Sequence, residues 1–153
     1  MPRSSTSRDP RFEPPPASSW AAPPEFYLDE NIAGRTLRRS IEDLGYIVHT
    51  PAAVYGTRAA AEGTPDERWL RDVGRNGWAA IGRDTTILVT PSELQAYKRA
   101  RIHLFLFHGH ATRQQLIDAL HANLRDICTH CMSGTPSVWR VFGDPRPRLE
   151  QLM

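Results

Sequence analysis

With 153 residues, 40% of them hydrophobic, the chain has material for one packed core and too little for two. A formal net charge of +2 is short of the basic excess that would mark a nucleic-acid binder by charge alone. No run approaches the roughly 20 apolar residues of a membrane span, and the Pro/Ser/Arg-rich start has no apolar signal stretch, so a cytoplasmic protein without membrane contact is expected.

Residues 1–24 hold seven of the 13 prolines and five serines, with no periodic apolar pattern, and are expected to form a disordered tail. Order is expected to begin at Glu25-Phe26-Tyr27-Leu28 and to continue to residue 143, with residues 144–153 as a C-terminal tail. Within 25–143, short apolar runs alternate with longer stretches of helical spacing, the pattern of an α/β domain with a mostly parallel, five-stranded sheet. The strands are predicted at 26–28, 46–49, 78–81, 102–107 and 138–142.

Between them, the spacing predicts a helix over 33–44 with Leu37, Ile41 and Leu44 on one face, stopped by Gly45. A second helix starts at Thr64-Pro65-Asp66-Glu67, read as an N-cap, a proline in the first helical position and an acid three residues after the cap. A third short helix follows Pro91-Ser92, and a fourth spans 112–127 with Leu116, Leu120, Leu124 and Ile127 aligned. Residues 51–63 read as a long mobile loop.

Acids just past an apolar strand come first in the search for a site, because open parallel sheets bind ligands beyond the carboxyl ends of their strands. Asp29-Glu30-Asn31 follows the first strand, Asp84 follows the third through Gly82-Arg83, and Asp66-Glu67 opens the second helix. Carboxylates gathered at one sheet end repel one another unless a cation lies among them, and all-oxygen ligation suits Mg2+ or Mn2+. Each also has a local explanation: turn and cap chemistry for Asp29, Glu30 and Asn31, a capping box for Asp66 and Glu67, a strand-ending turn for Asp84.

Arg35, Arg38 and Arg39 lie on the outer face of the first helix and are open to phosphate contact or to a plain solvated face, Arg38 being spaced i,i+4 from Glu42; Arg83, beside Asp84, is slightly better placed. His108 and His110 follow the fourth strand and are open to a metal or general-acid role or to a plain exposed turn around Gly109. Trp78 and Trp139 read as core. Cys128 and Cys131 form a C-x-x-C without a second ligand pair and read as structural or incidental thiols.

The succession Phe26-Tyr27-Leu28-Asp29-Glu30-Asn31-Ile32, Leu44-Gly45-Tyr46-Ile47-Val48-His49, Thr64-Pro65-Asp66-Glu67-Arg68-Trp69-Leu70 and Trp78-Ala79-Ala80-Ile81-Gly82-Arg83-Asp84 resembles PIN-like domains over roughly residues 25–143. The resemblance implies a three-layer α/β/α fold and a Mg2+- or Mn2+-dependent endoribonuclease, the toxin of a type II toxin-antitoxin system. It implies Asp29, Asp66 and Asp84 as catalytic metal ligands with Glu30 beside them, and Arg35, Arg83 and Asn31 towards substrate. RNA, an antitoxin protein and a second copy of the chain are the implied partners.

Two positions depart from the family pattern. Gly82 stands where a Thr or Ser usually precedes Arg-Asp, and no fourth acid is evident late in the chain, Asp118 and Asp126 reading as solvated helix charges. An inert PIN-like module that holds RNA or an antitoxin remains open. A phospho-acceptor domain is disfavoured because the single lysine, Lys98, falls on a helix. A dinucleotide-binding domain is disfavoured because no G-x-G-x-x-G follows the first strand.

Overall fold

The computed structural model describes residues 12–29, 32, 34–63, 65–83, 91–143 and 145–152. Its strands are β1 (Phe26–Leu28), β2 (Val48–His49), β3 (Ala79–Gly82), β4 (Leu104–Leu106), β5 (Val138–Phe142) and β6 (Arg148–Gln151). Its helices are α1 (Arg35–Glu42), α2 (Pro51–Tyr55), α3 (Arg58–Glu62), α4 (Asp66–Asn76), α5 (Pro91–Ala100) and α6 (Arg113–Ser133). The strands form one sheet in the order β2-β1-β3-β4-β5-β6, parallel throughout except for the antiparallel β5–β6 pair.

Every residue of β1, β3 and β4 is buried, as expected of strands covered on both faces. Alternate side chains go to opposite sides. Phe26, Leu28, Ile81 and Phe105 meet Leu37 and Ile41 of α1 and Leu116, Leu120, Leu124 and Ile127 of α6. Tyr27, Ala80, Leu104 and Leu106 meet Leu70 and Val73 of α4 and Ala96 and Tyr97 of α5. The result is the three-layer α/β/α arrangement expected from the sequence, with a sheet one strand wider.

The extra strand, β6, lies where a tail was expected. Its Arg148, Leu149, Glu150 and Gln151 pair with Phe142, Val141, Arg140 and Trp139. Among 148–151 only Leu149 is apolar, so periodicity carried no strand signal there; the ladder comes from the edge that β5 offers. Residues 51–63, expected as a loop, form α2 and α3 instead. Thr50 and Thr57 accept hydrogen bonds from Ala53 N and Ala60 N at 3.4 and 3.0 Å, so two threonine caps start helices that show little apolar periodicity.

Helix α4 starts one residue later than the expected box: Pro65 is its N-cap and Arg68 N and Trp69 N donate to Pro65 O. Thr64 lies outside the described residues. Helix α6 runs six residues beyond the expected end, to Ser133, and carries both cysteines.

From Phe12 to Pro24 the chain lies against the domain. Ala17 N donates to Leu44 O at 2.8 Å, and the Tyr46 hydroxyl accepts from Trp20 Nε1 at 2.9 Å while donating to Pro15 O at 2.8 Å. Gly45, at φ 99°, passes within 3.2 Å of Ala17 Cβ when given an ideal Cβ, so the turn after α1 needs glycine both for its left-handed backbone and for this contact. Cys128 Sγ joins the same hydroxyl at 3.6 Å, and burial pushes its thiol up to about 11, so it remains protonated at neutral pH.

Gly74, in the interior of α4, faces Ala100 at the end of α5; a Cβ there would collide with the Ala100 carbonyl oxygen. Gly74→Ala gains about 1 kcal/mol in helix propensity and loses about 1–3 kcal/mol to overpacking. It is therefore expected to lower the denaturation midpoint, whereas a midpoint equal to or above the parent's would show that α5 yields freely.

His103, next to β4, has a buried Nδ1 without a hydrogen-bond partner. Burial, and secondarily the charge of His130, hold its pKa below the ordinary histidine value. The unfolded chain takes up this proton near pH ~6.5 and the folded chain only below it, so stability is present above that pH and declines as pH falls. Urea midpoints measured from pH 7.5 to 5 should fall, and His103→Gln should flatten the decline; an unchanged slope would remove His103 as a cause.

Candidate active site at the carboxyl ends of the parallel strands

Strand β1 lies between β2 and β3, so the chain leaves it towards one neighbour and returns on its other side. That reversal opens a crevice beyond the carboxyl ends of β1 and β3, where doubly wound sheets bind ligands. Asp29 stands there. Its backbone N–H donates to Ile81 O at 3.0 Å, continuing the β1–β3 ladder one step past Leu28, and its carbonyl accepts from Ile32 N at 3.1 Å, which starts the turn towards α1.

The half-buried Asp29 side chain lies over the end of β3. An ideal Cβ on Gly82 would fall 2.7 Å from Asp29 Oδ2 and 3.4 Å from Leu106 Cδ2. A side chain at position 82 would meet the seat of the carboxylate. Gly82 is therefore a compensation of shape: the place a side chain would fill is filled by Asp29. Gly82 O accepts from Phe107 N at 2.8 Å, which ties this seat to the end of β4.

Arg83 follows directly. Its Nη1 donates to Gly109 O and Ala111 O, each at 3.3 Å, and its Nε is buried without a hydrogen-bond partner. The guanidinium thus braces the turn between β4 and α6, a role the sequence did not indicate. Arg35 is exposed at the first position of α1, behind the Gly34 cap, which supplies no side-chain bond to the first-turn N–H groups. Arg38 pairs with Glu42 at 3.7 Å, the helix pair expected from their spacing.

Asp66 is the first residue of α4, and its side chain lies outside the described structure. Glu30, Asn31 and Asp84 also lie outside the described residues. Among the described residues, no three His, Cys, Asp or Glu side chains come together as a metal-binding group. The fit of a hard divalent cation therefore rests on the donor type of Asp29, a carboxylate with oxygen ligands, and on the cradle that Gly82 leaves for it.

His108 and His110 form an exposed turn, with His108 Nδ1 accepting from His110 N at 3.0 Å. Trp78 and Trp139 are half-buried, stacked on His49 at 3.7 Å and His130 at 4.1 Å between ring centroids, so each has an aromatic partner at the sheet margin. The sequence reading missed the Tyr55 hydroxyl, which donates to Asp72 Oδ2 at 2.8 Å while Arg68 lies over its ring. A Tyr in an apparent loop and an Asp on a helix carry no shared spacing that would have revealed the pair.

A strand-reversal crevice in a three-layer α/β/α domain is the arrangement of a doubly wound fold, here with a carboxylate standing in it. Residues 24–109, more than half of the chain, match the family described as PIN like domain, and the chain belongs to that family. Its members form part of a nuclease superfamily. No curated protein and no solved structure matches the chain. No helix among the described residues is long and apolar enough to cross a membrane.

The contact between Gly82 and Asp29 is testable by a double-mutant cycle. Gly82→Ala is expected to destabilise by about 1–3 kcal/mol in the parent and by distinctly less in an Asp29→Ala background, because the obstructing oxygen is gone. Equal costs in both backgrounds would place the clash elsewhere, on Leu106.

Proposed function

We propose that this protein is a Mg2+- or Mn2+-dependent endoribonuclease that acts in the cytoplasm as the toxin of a type II toxin-antitoxin pair. The observation that carries the reading is the Asp29 carboxylate seated against Gly82 at the strand-reversal crevice. Family membership supports hydrolysis of nucleic acid. Asp29, Asp66, Asp84 and Glu30 would hold the cation, Arg35 and Asn31 would meet the RNA, and Arg83 would serve it through the turn that its guanidinium braces. An antitoxin covering the same crevice and a second copy of the chain are the protein partners of this reading.

The chemistry follows from charge. A divalent cation held there supplies positive charge against the negative charge that builds on a phosphodiester undergoing in-line attack. Backbone bonds to Ile81 and Ile32 fix where the Asp29 side chain leaves the main chain, at the mouth of the crevice. The first turn of α1, whose Gly34 cap brings no side-chain bond, offers backbone N–H groups suited to a phosphate oxygen, and the exposed Arg35 at its first position adds a positive charge. Arg83 keeps the 108–111 turn in place beside the crevice.

Purified protein is expected to cut a structured RNA with Mg2+ or Mn2+ and to stop when EDTA is added. Asp29→Asn should reduce cleavage by at least the ~10–100-fold that loss of a metal ligand's supporting partner costs, with an unchanged melting temperature. Parent-like activity in that variant would remove Asp29 from the mechanism.

A further inference from the structure

Strand β6 is the last of the sheet, and among the described residues no strand lies beyond it. Its inner neighbour is β5: Leu152 N donates to Val138 O at 2.7 Å, and the register sets Glu150 opposite Arg140 and Arg148 opposite Phe142. Antiparallel strands turn the backbone groups of successive residues to alternate sides. Since Leu152 faces β5, so do Glu150 and Arg148, and the N–H and C=O of Leu149 point away from the sheet.

Side chains alternate between the two faces of the sheet. Leu149 packs into the layer of α1 and α6. Arg148 and Glu150 share the other face, where Arg148 Nε meets Glu150 Oε2 at 3.2 Å and the guanidinium lies 4.0 Å over the Phe142 ring. Both charged side chains are open to solvent, 40% and 51% exposed. Charges on an edge strand ordinarily keep other chains away. Here two opposite signs stand two residues apart, so the edge repels a copy of itself in other registers and attracts it in one.

That register is antiparallel and centred on Leu149. The two Leu149 residues then exchange N–H···O=C bonds, and Arg148 of each copy stands opposite Glu150 of the other in non-hydrogen-bonded pairs, the closer kind, with Cα atoms about 4.5 Å apart. A shift that keeps the backbone pairing sets Glu150 against Glu150 in one direction. In the other it sets Arg148 against Arg148 and Leu149 opposite Pro147, which has no N–H to give. Parallel pairing puts like charges side by side.

We propose that the chain forms a symmetric dimer in which β6 pairs with β6 of a second copy about a two-fold axis at Leu149, so that one sheet runs through both copies. The axis is perpendicular to the sheet, and the two crevices therefore lie at opposite ends of the joined sheet. The pairing gives a surface to the second copy named in the function proposed above and does not rest on catalysis.

Sedimentation equilibrium of the full chain should show a dimer that weakens several-fold between about 0.1 and 1 M salt, as the screening length falls from ~10 to ~3 Å. Glu150→Arg, with arginine at both seam positions, and Arg148→Glu, with glutamate at both, should each be monomeric where the parent is dimeric. An equimolar mixture of the two should recover the dimer, because every seam pair then has opposite signs. A parent that is monomeric at every soluble concentration, a dimer indifferent to salt, single variants that still dimerise, or a mixture of folded variants that stays monomeric would overturn the pairing. A salt-sensitive, charge-swappable dimer that cuts no RNA under any metal would sink the nuclease reading and leave the pairing standing.

Discussion

Strands β1, β3 and β4 are covered on both faces, so their backbone N–H and C=O groups have no water to turn to and must satisfy one another across the sheet. That requirement sets the register: Leu28 opposite Ile81, and Gly82 opposite Leu106. One further step of the same ladder places Asp29 beside Gly82, and Gly82 O on Phe107 N. The crevice and the seat of the carboxylate are both consequences of that pairing. A slip of one residue would turn the core side chains to the wrong layer and carry Asp29 away from its glycine.

A second constraint acts at the rim of the α1–α6 layer. The Tyr46 hydroxyl is buried among Trp20, the Pro15 carbonyl and Cys128, and each of these bonds replaces water that the group has lost. The same burial raises the pKa of the phenol. Residues 12–24 are therefore held by a few specific hydrogen bonds and by Ala17 against Gly45, with little help from periodic apolar burial. Their composition, rich in proline and serine, describes a segment that forms no core of its own. It does not describe whether another element offers it partners.

The site was legible in unequal parts. Asp29 at the end of an apolar run could be picked out from the residues, and so could Gly82 ahead of Arg83. Why glycine is there could not, because the distance from Gly82 to the Asp29 carboxylate depends on two segments about fifty residues apart. Arg83 read as a contact for phosphate, whereas its guanidinium reaches the carbonyls of a turn more than twenty residues later. Asp118 read as a solvated helix charge; exposed it is, but it lines one pocket with His108 and Gln115, which only the packing of α6 against the sheet brings together.

By itself, the sequence determined the α/β class, the positions of the five main strands, the apolar faces of α1 and α6, and the acid at the end of β1. These are local signals, written in periodicity and in the chemistry of caps and turns. Tertiary structure alone decided the sixth strand, the helices within 51–63, the seat that Gly82 leaves for Asp29, and the meeting of the Arg83 guanidinium with the 108–111 turn. Each of those depends on what a neighbouring element offers: an open strand edge, a carbonyl to pair with, or a space that a missing side chain leaves free.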